Sequence, residues 1–206
     1  FLSFSSSSDY SDVQNVLKLT KGEINKYGHQ AKDFIIQCSF DGITCDYRDF
    51  HVFQNDEYGN CFTFNSGIQN GELIKNSNRP GARYGLKLTL FIEQDEYIPL
   101  YGQEAGVRVL IHPSDITPFP EDEGITVAPG LKTSIGLRQE GIQQPSTPYT
   151  NCSDNQVFDT IYGNGYTYSD LACHKTMMHI HIRQECQCVD TIHVDGTRCK
   201  ITLEEQ

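Results

Sequence analysis

Eight cysteines in 206 residues, at positions 38, 45, 61, 152, 173, 186, 188 and 199, restrict this chain more than any other feature. Together with the Asn151-Cys152-Ser153 glycosylation sequon they fit an oxidising compartment, so they are read as disulfide formers. Cys38 and Cys45 flank Phe40-Asp41-Gly42-Ile43, a loop with turn residues at its tip and short enough to be closed by a local bridge; the two are predicted to pair. Cys188 and Cys199 bracket a second loop with Asp195-Gly196 as its turn, where another local bridge fits. Metal binding is the competing reading, with Cys186-Gln187-Cys188, His193 and Cys199 as its best cluster. A structural zinc site usually places two residues between paired cysteines so that both thiolates reach one tetrahedral ion, and here there is one. His174, His179 and His181 do not stand at the spacing that aims two imidazoles at one ion from one helix face. They read as solvent-facing or core histidines, and no metal or cofactor is expected.

A chain of 206 residues has room for one sizeable domain or two small ones. No stretch of about 18 apolar residues occurs, so nothing in it is expected to span a bilayer as a helix. Phe1-Leu2-Ser3-Phe4 followed by four serines lacks the basic flank and length of a signal peptide, and the chain is expected to be a fragment of something larger. A formal charge of −11 argues against nucleic acid or an anionic membrane as partner, and favours cations, protons or basic peptides. No Gly-x-Ser-x-Gly, paired metal ligands or phosphate loop is present, so the chain does not read as an enzyme and no catalytic residue is named.

Residues 9 to 36 carry a helical period through Val13, Leu17, Ile24, Tyr27, Ala31 and Phe34, broken by Thr20; Gly22 and Gly28 divide it into two or three short helices. Cys61-Phe62-Thr63-Phe64 alternates as a half-buried strand does, between the turn residues Gly59-Asn60 and Asn65-Ser66-Gly67. From Tyr84 onward the period is two: Leu86, Leu88, Leu90 and Ile92, then Val107, Val109 and Ile111, predict strands with one face in a core. The Pro- and acid-rich stretch from Pro118 to Gly124 reads as a turn. After it, Leu131, Thr133, Ile135 and Leu137 predict a third strand long enough to run through a central sheet. Residues 143 to 152 read as a hinge-like link. Ser169-Asp170 offers an N-cap to a helix with the stripe Leu171, His174, Met178 and Ile182 that ends near Cys186, with Met177 and Met178 as core filling.

The string Tyr58-Gly59-Asn60-Cys61-Phe62-Thr63-Phe64-Asn65-Ser66-Gly67 resembles the Gly-x-Cys-x-Thr-Phe-Asn-Ser-Gly signature of the extracellular domain of the degenerin/epithelial sodium channel/acid-sensing ion channel family. Further motifs follow in the same order: Phe34-Ile35-Ile36-Gln37-Cys38 with Cys45, Asp95-Glu96-Tyr97-Ile98-Pro99, Val127-Ala128-Pro129-Gly130, Pro148-Tyr149-x-x-Cys152, Ala172-Cys173 and Cys186-x-Cys188. The resemblance implies an α+β, β-rich ectodomain with a helical finger (1-48), a β-ball with part of the palm sheet (49-142), and a wrist-proximal link leading into the start of a helical thumb (143-206). It implies that only Cys38–Cys45 and Cys188–Cys199 close within the chain, while Cys61, Cys152, Cys173 and Cys186 have partners outside it. It further implies glycosylation at Asn151, a gating contact at Pro148-Tyr149, and a plasma-membrane location with this region on the extracellular side. Other channel subunits in a trimer, an extracellular peptide or proton ligand, and sodium ions are the implied partners. The function expected is to sense that ligand and couple it to a sodium-selective, amiloride-sensitive type of pore.

Two departures bear on the stimulus. The acidic insertion of acid-sensing members is reduced here to Tyr101 to Glu104, and His174 and Met177 replace a thumb arginine and a thumb cysteine. Peptide-gated relatives fit the acidic composition at least as well. The alternative of a different class is a secreted, disulfide-rich binding module with no channel attached, which hydrophobic helices flanking this region in the full transcript would exclude.

Overall fold

The computed structural model describes residues 19–67, 73–97, 105–141, 148, 166–167, 169–191 and 196–199. Two short helices come first, α1 (Lys21–Tyr27) and α2 (Ala31–Phe34). Thr20, which interrupts the apolar stripe in sequence, is the N-cap of α1: its Oγ1 accepts from the Glu23 N–H at 3.3 Å while Glu23 accepts from the Thr20 N–H at 2.8 Å. Gly22 lies inside this helix, and Gly28 ends it.

Strand β1 (Ile35–Phe40) turns back as β2 (Ile43–Cys45) through Asp41 and Gly42, whose φ angles of 51° and 78° are the left-handed pair that a tight two-residue hairpin requires. Cys38 stands opposite Cys45 in this register, and the two are bonded with α-carbons 4.9 Å apart. On its other side β1 pairs antiparallel with β5 (Lys87–Leu90), giving the order β2-β1-β5. A second hairpin joins β3 (Phe50–Asn55) to β4 (Gly59–Phe64), with Phe53 opposite Cys61. Its turn is built by Asn55, 4% exposed, whose Oδ1 accepts from the N–H groups of Glu57 (2.9 Å) and Tyr58 (3.0 Å). Aromatic contacts join the first sheet and its helices to this hairpin, Phe34 on Phe62 and Phe40 on Phe64, each at 5.4 Å, while Phe50 packs on Phe64 within the hairpin at 5.3 Å. Asn65 ends β4 with φ 62°, and its side chain pairs with both backbone polar groups of Lys75.

A third pair, β6 (Val107–Val109) with β7 (Ile125–Val127), encloses the helical turn α3 (Pro120–Glu123). The long helix α4 (Asp170–Cys186) is capped by Ser169, whose Oγ accepts from the Ala172 N–H at 3.2 Å. After it, Cys188 and Cys199 are bonded, again with α-carbons 4.9 Å apart. Helices and small antiparallel sheets together make an α+β fold.

Four expectations are corrected. Residues 131–137 form no strand: Leu131 (74% exposed), Ile135 and Leu137 project into solvent, and among the described residues no strand lies alongside to complete a ladder. Alternation prescribes which face a strand would bury but supplies no hydrogen-bond partner. Strands do form at 87–90 and 107–109, yet they are shorter than the alternation, and Leu86, Leu88 and Ile111 are exposed because no layer covers that face among the described residues. The acid-rich turn is helical at Pro120–Glu123, with Pro at the first helical position where its missing N–H costs nothing. Finally, Met177 and Met178 are exposed, and α4 instead buries Ala172 and Thr176, with Thr176 Oγ1 donating to the Ala172 carbonyl at 2.7 Å.

Candidate functional site

That packed face of α4 leads to the densest set of long-range polar contacts. Pro120 begins α3 and aims Glu121 and Asp122 toward α4, while Phe119 lies beneath, 3% exposed and packed on Ala172 with Tyr166 and Leu171 beside it. One turn further along α4, Lys175 Nζ lies 2.7 Å from Glu121 Oε1, 2.7 Å from Asp122 Oδ2, and 5.1 Å from the centre of the Phe119 ring. Burial alone would push the Lys175 ammonium's pKa down; its hydrogen bonds to Asp122 and Glu121 outweigh that and raise it.

The carboxylates are themselves fixed from the sheet side. Asn55 Nδ2 donates to Glu121 Oε2 at 2.9 Å, so the residue that builds the β3–β4 turn also orients Lys175's partner. Arg108 of β6 donates through Nε to the Pro120 carbonyl (2.8 Å), through Nη2 to the Glu121 carbonyl (3.3 Å) and through Nη1 to Thr126 Oγ1 (2.9 Å), which clamps α3 onto the β6–β7 pair. Gly124 leaves room for this clamp, since a Cβ there would meet the Pro120 carbonyl and the Arg108 guanidinium.

A second set of contacts fixes the far end of α4. His179 Nδ1 is 2.9 Å from Asp190 Oδ1, Thr191 Oγ1 donates to Asp56 Oδ2 at 2.9 Å, and Arg198 pairs with Asp56 Oδ1 at 2.8 Å. Asn55 and Asp56, adjacent at one hairpin turn, therefore bond to the partner of Lys175 and to the segment after α4, respectively. This arrangement ties α4 to α3, and through Asn55 and Arg108 ties α3 to two strand pairs.

A family profile described as amiloride-sensitive sodium channel matches residues 2–205. The chain belongs to this family. Among curated proteins it is 38% identical over 165 residues to epithelial sodium channel subunit gamma-2 of Xenopus laevis, covering 78% of this chain and 24% of that protein. It is 38% identical over 165 residues to subunit beta-2 of the same species (78% of this chain, 25% of that one) and 35% identical over 170 residues to subunit beta of Bos taurus (81% and 26%). The chain thus spans about a quarter of the length of these channel-subunit relatives. No helix among the described residues is long and apolar enough to cross a membrane.

In this member of the amiloride-sensitive sodium channel family, Cys38–Cys45 and Cys188–Cys199 are bonded among the described residues. Among the described residues Cys61, Cys173 and Cys186 carry free thiols, Cys186 exposed and the other two half-buried. Pro148 sits in an exposed turn; Tyr149, Asn151 and Cys152 lie outside the described residues. His174 and His181 face solvent, whereas His179 is hydrogen-bonded to Asp190. Periodicity does not single out Lys175, Glu121 and Asp122; the signal for them in the sequence is an acidic triplet after Pro120 and a lysine on a helix with few cations.

Burial, with a smaller push from the Glu121 charge, drives the Cys61 thiol up to about 12. In the thiol form it should therefore be alkylated by iodoacetamide at neutral pH at least about a hundredfold more slowly than Cys186, since the thiolate is the nucleophile. Comparable labelling of both by mass spectrometry would contradict the buried position of Cys61.

Proposed function

We infer that this chain is part of the extracellular domain of a sodium channel subunit that assembles as a trimer with like or related subunits at the plasma membrane. In this reading the segment to residue 48 serves as finger, residues 49–142 as β-ball and palm strands, and residues 143–206 as the link and start of the thumb, with α4 as its helix. The domain senses an extracellular peptide or proton and moves α4 against α3, whose carboxylates hold Lys175, and Pro148-Tyr149 carries that movement toward a sodium-conducting, amiloride-blocked pore. The match of residues 2–205 to the family carries this proposal. The charge of −11 and the two disulfides support an extracellular setting with cationic ligands.

The test is expression of the full-length subunit in oocytes, alone and with related subunits, under voltage clamp. An amiloride-blocked sodium current is expected; its absence in every combination, with the protein at the surface, would overturn the channel reading. With the acidic insertion reduced to residues 101–104, a step to about pH 6, where ordinary histidines titrate and exposed carboxylates do not, should evoke little current compared with cationic peptides. Tyr149→Ala should abolish opening while surface expression persists, and wild-type currents in that variant would remove Tyr149 from the mechanism.

A further inference from the structure

Beside the Lys175 contacts, where the N-terminus of α4 meets the segment after β6, lies a cavity of about 470 Å³, within the size range of small-molecule sites. Leu110, Ile116, Phe119 and Leu171 supply apolar walls. Thr117 is also part of the wall; it is 7% exposed, and its Oγ1 is buried with no hydrogen-bond partner among the described residues. A buried hydroxyl left unpaired costs free energy that a bound group could recover. Glu123 and Asp170 complete the wall, and neither is ion-paired among the described residues. His112 is the one wall residue able to carry positive charge, and its Nδ1 is 2.7 Å from the Pro113 carbonyl.

We propose that this cavity is a binding site for a small amphipathic organic cation, with an apolar body against Phe119 and Leu171, its ammonium or amidinium group between Glu123 and Asp170, and a hydrogen bond to Thr117. Charge selects the class. Two carboxylates in the lining, neither ion-paired among the described residues, repel an anion, and Ser169 already takes up N–H groups of the first turn of α4, through Oγ to Ala172 and through its carbonyl to Cys173 at 2.8 Å. An entirely apolar ligand would leave both carboxylates without a counter-charge and the Thr117 hydroxyl without a partner. Because Phe119 and Leu171 also border the α3–α4 contact, an occupant would touch the two elements that Lys175 joins. The site rests on its own geometry, independently of the channel reading.

The probe is 2-phenylethylammonium, with 2-phenylethanol and phenylacetate as neutral and anionic counterparts, titrated against the purified full-length protein by calorimetry at about pH 8, where an ordinary imidazole is neutral. The cation should bind at least about fivefold more tightly than the alcohol, and phenylacetate should not bind. Glu123→Gln should weaken the cation about fivefold and bring it to the level of the alcohol. Thr117→Val, which removes the unpaired hydroxyl at nearly constant shape, should weaken binding about threefold while leaving the thermal midpoint unchanged or higher. Equal binding of cation and alcohol, or a cation affinity that neither substitution alters, would overturn the site; the second result would place any binding elsewhere in the protein.

Discussion

Lys175→Glu should separate α4 from α3 and lower stability by about 3 kcal/mol. Lys175, 20% exposed in its side chain, is shielded with Glu121 at 23%, while Asp122 is more open at 43%. Such a set lies between exposed pairs, worth about 1 kcal/mol or less, and buried ones, whose breakage costs about 3–5 kcal/mol. Lys175→Ala should therefore cost about 2 kcal/mol, mostly by leaving Glu121 with Asn55 alone, and the reversed charge adds repulsion. For a region of this size the reversal corresponds to a thermal shift of roughly 6–12 °C. Pairing Lys175→Glu with Asp122→Lys should restore part of the loss, a coupling that a purely steric effect of the glutamate would not produce. An unchanged midpoint in the single variant would mean that α4 is held by Phe119 and Ala172 without help from charge. Because the Lys175 pKa is raised, its contribution is complete below the ordinary lysine value of 10.5 and is lost only as pH rises through the elevated one. Mild acidification does not discharge this cation.

Replacing Cys188 and Cys199 together with serine should cost about 2.8 kcal/mol on the loop-entropy account, given the 11-residue separation, and replacing Cys38 and Cys45, 7 residues apart, only slightly less, about 2.4 kcal/mol. The first loss should also be the more damaging to the arrangement around α4. Cys38 and Cys45 remain opposed in a hydrogen-bonded hairpin after reduction, whereas the Cys188–Cys199 bridge constrains the segment that carries Thr191 and Arg198 to Asp56. Hydrogen exchange should therefore rise across the C-terminal half of α4 in the serine pair, and in the β1–β2 hairpin much less. Equal protection in both variants would show that Asp56 holds its partners without the bridge.

Features that depend on neighbours a few residues away were legible in the sequence. Asp41-Gly42 turns a hairpin, Asn65 ends β4 in a left-handed conformation, and Ser169 caps α4, because each is a local preference of backbone and side chain. What depends on a distant surface was not. The apolar stripe chosen for α4 included Met178, but the packed face is rotated by about one residue because the surface opposite is small and acidic, and it accepts Ala172, Lys175, Thr176 and His179. Alternation at 131–137 likewise described a strand's side chains without the neighbour that makes it a strand. Asn55 was overlooked for the opposite reason: its role lies in polar groups rather than periodicity, since one side chain satisfies the hairpin turn and reaches Glu121 across 66 residues of sequence. The family, by contrast, was readable from short collinear strings, and the match across residues 2–205 agrees with them.

Asp56 also has a consequence in time. Thr191 and Arg198, which both bond to it, are 135 and 142 residues away, and bringing together groups that far apart costs about 3 kcal/mol more in chain entropy than closing the 7-residue Cys38–Cys45 loop. Both hairpins and their aromatic contacts can therefore assemble early from nearby segments, whereas closure onto Asp56 waits until the segment carrying Thr191 and Arg198 has been made. An element that docks last in this way is also among the first to open in the native state. During synthesis, Asn55 and Asp56 would stand ready on a formed turn well before the ribosome has delivered the lysine and arginine that settle onto that side of the molecule.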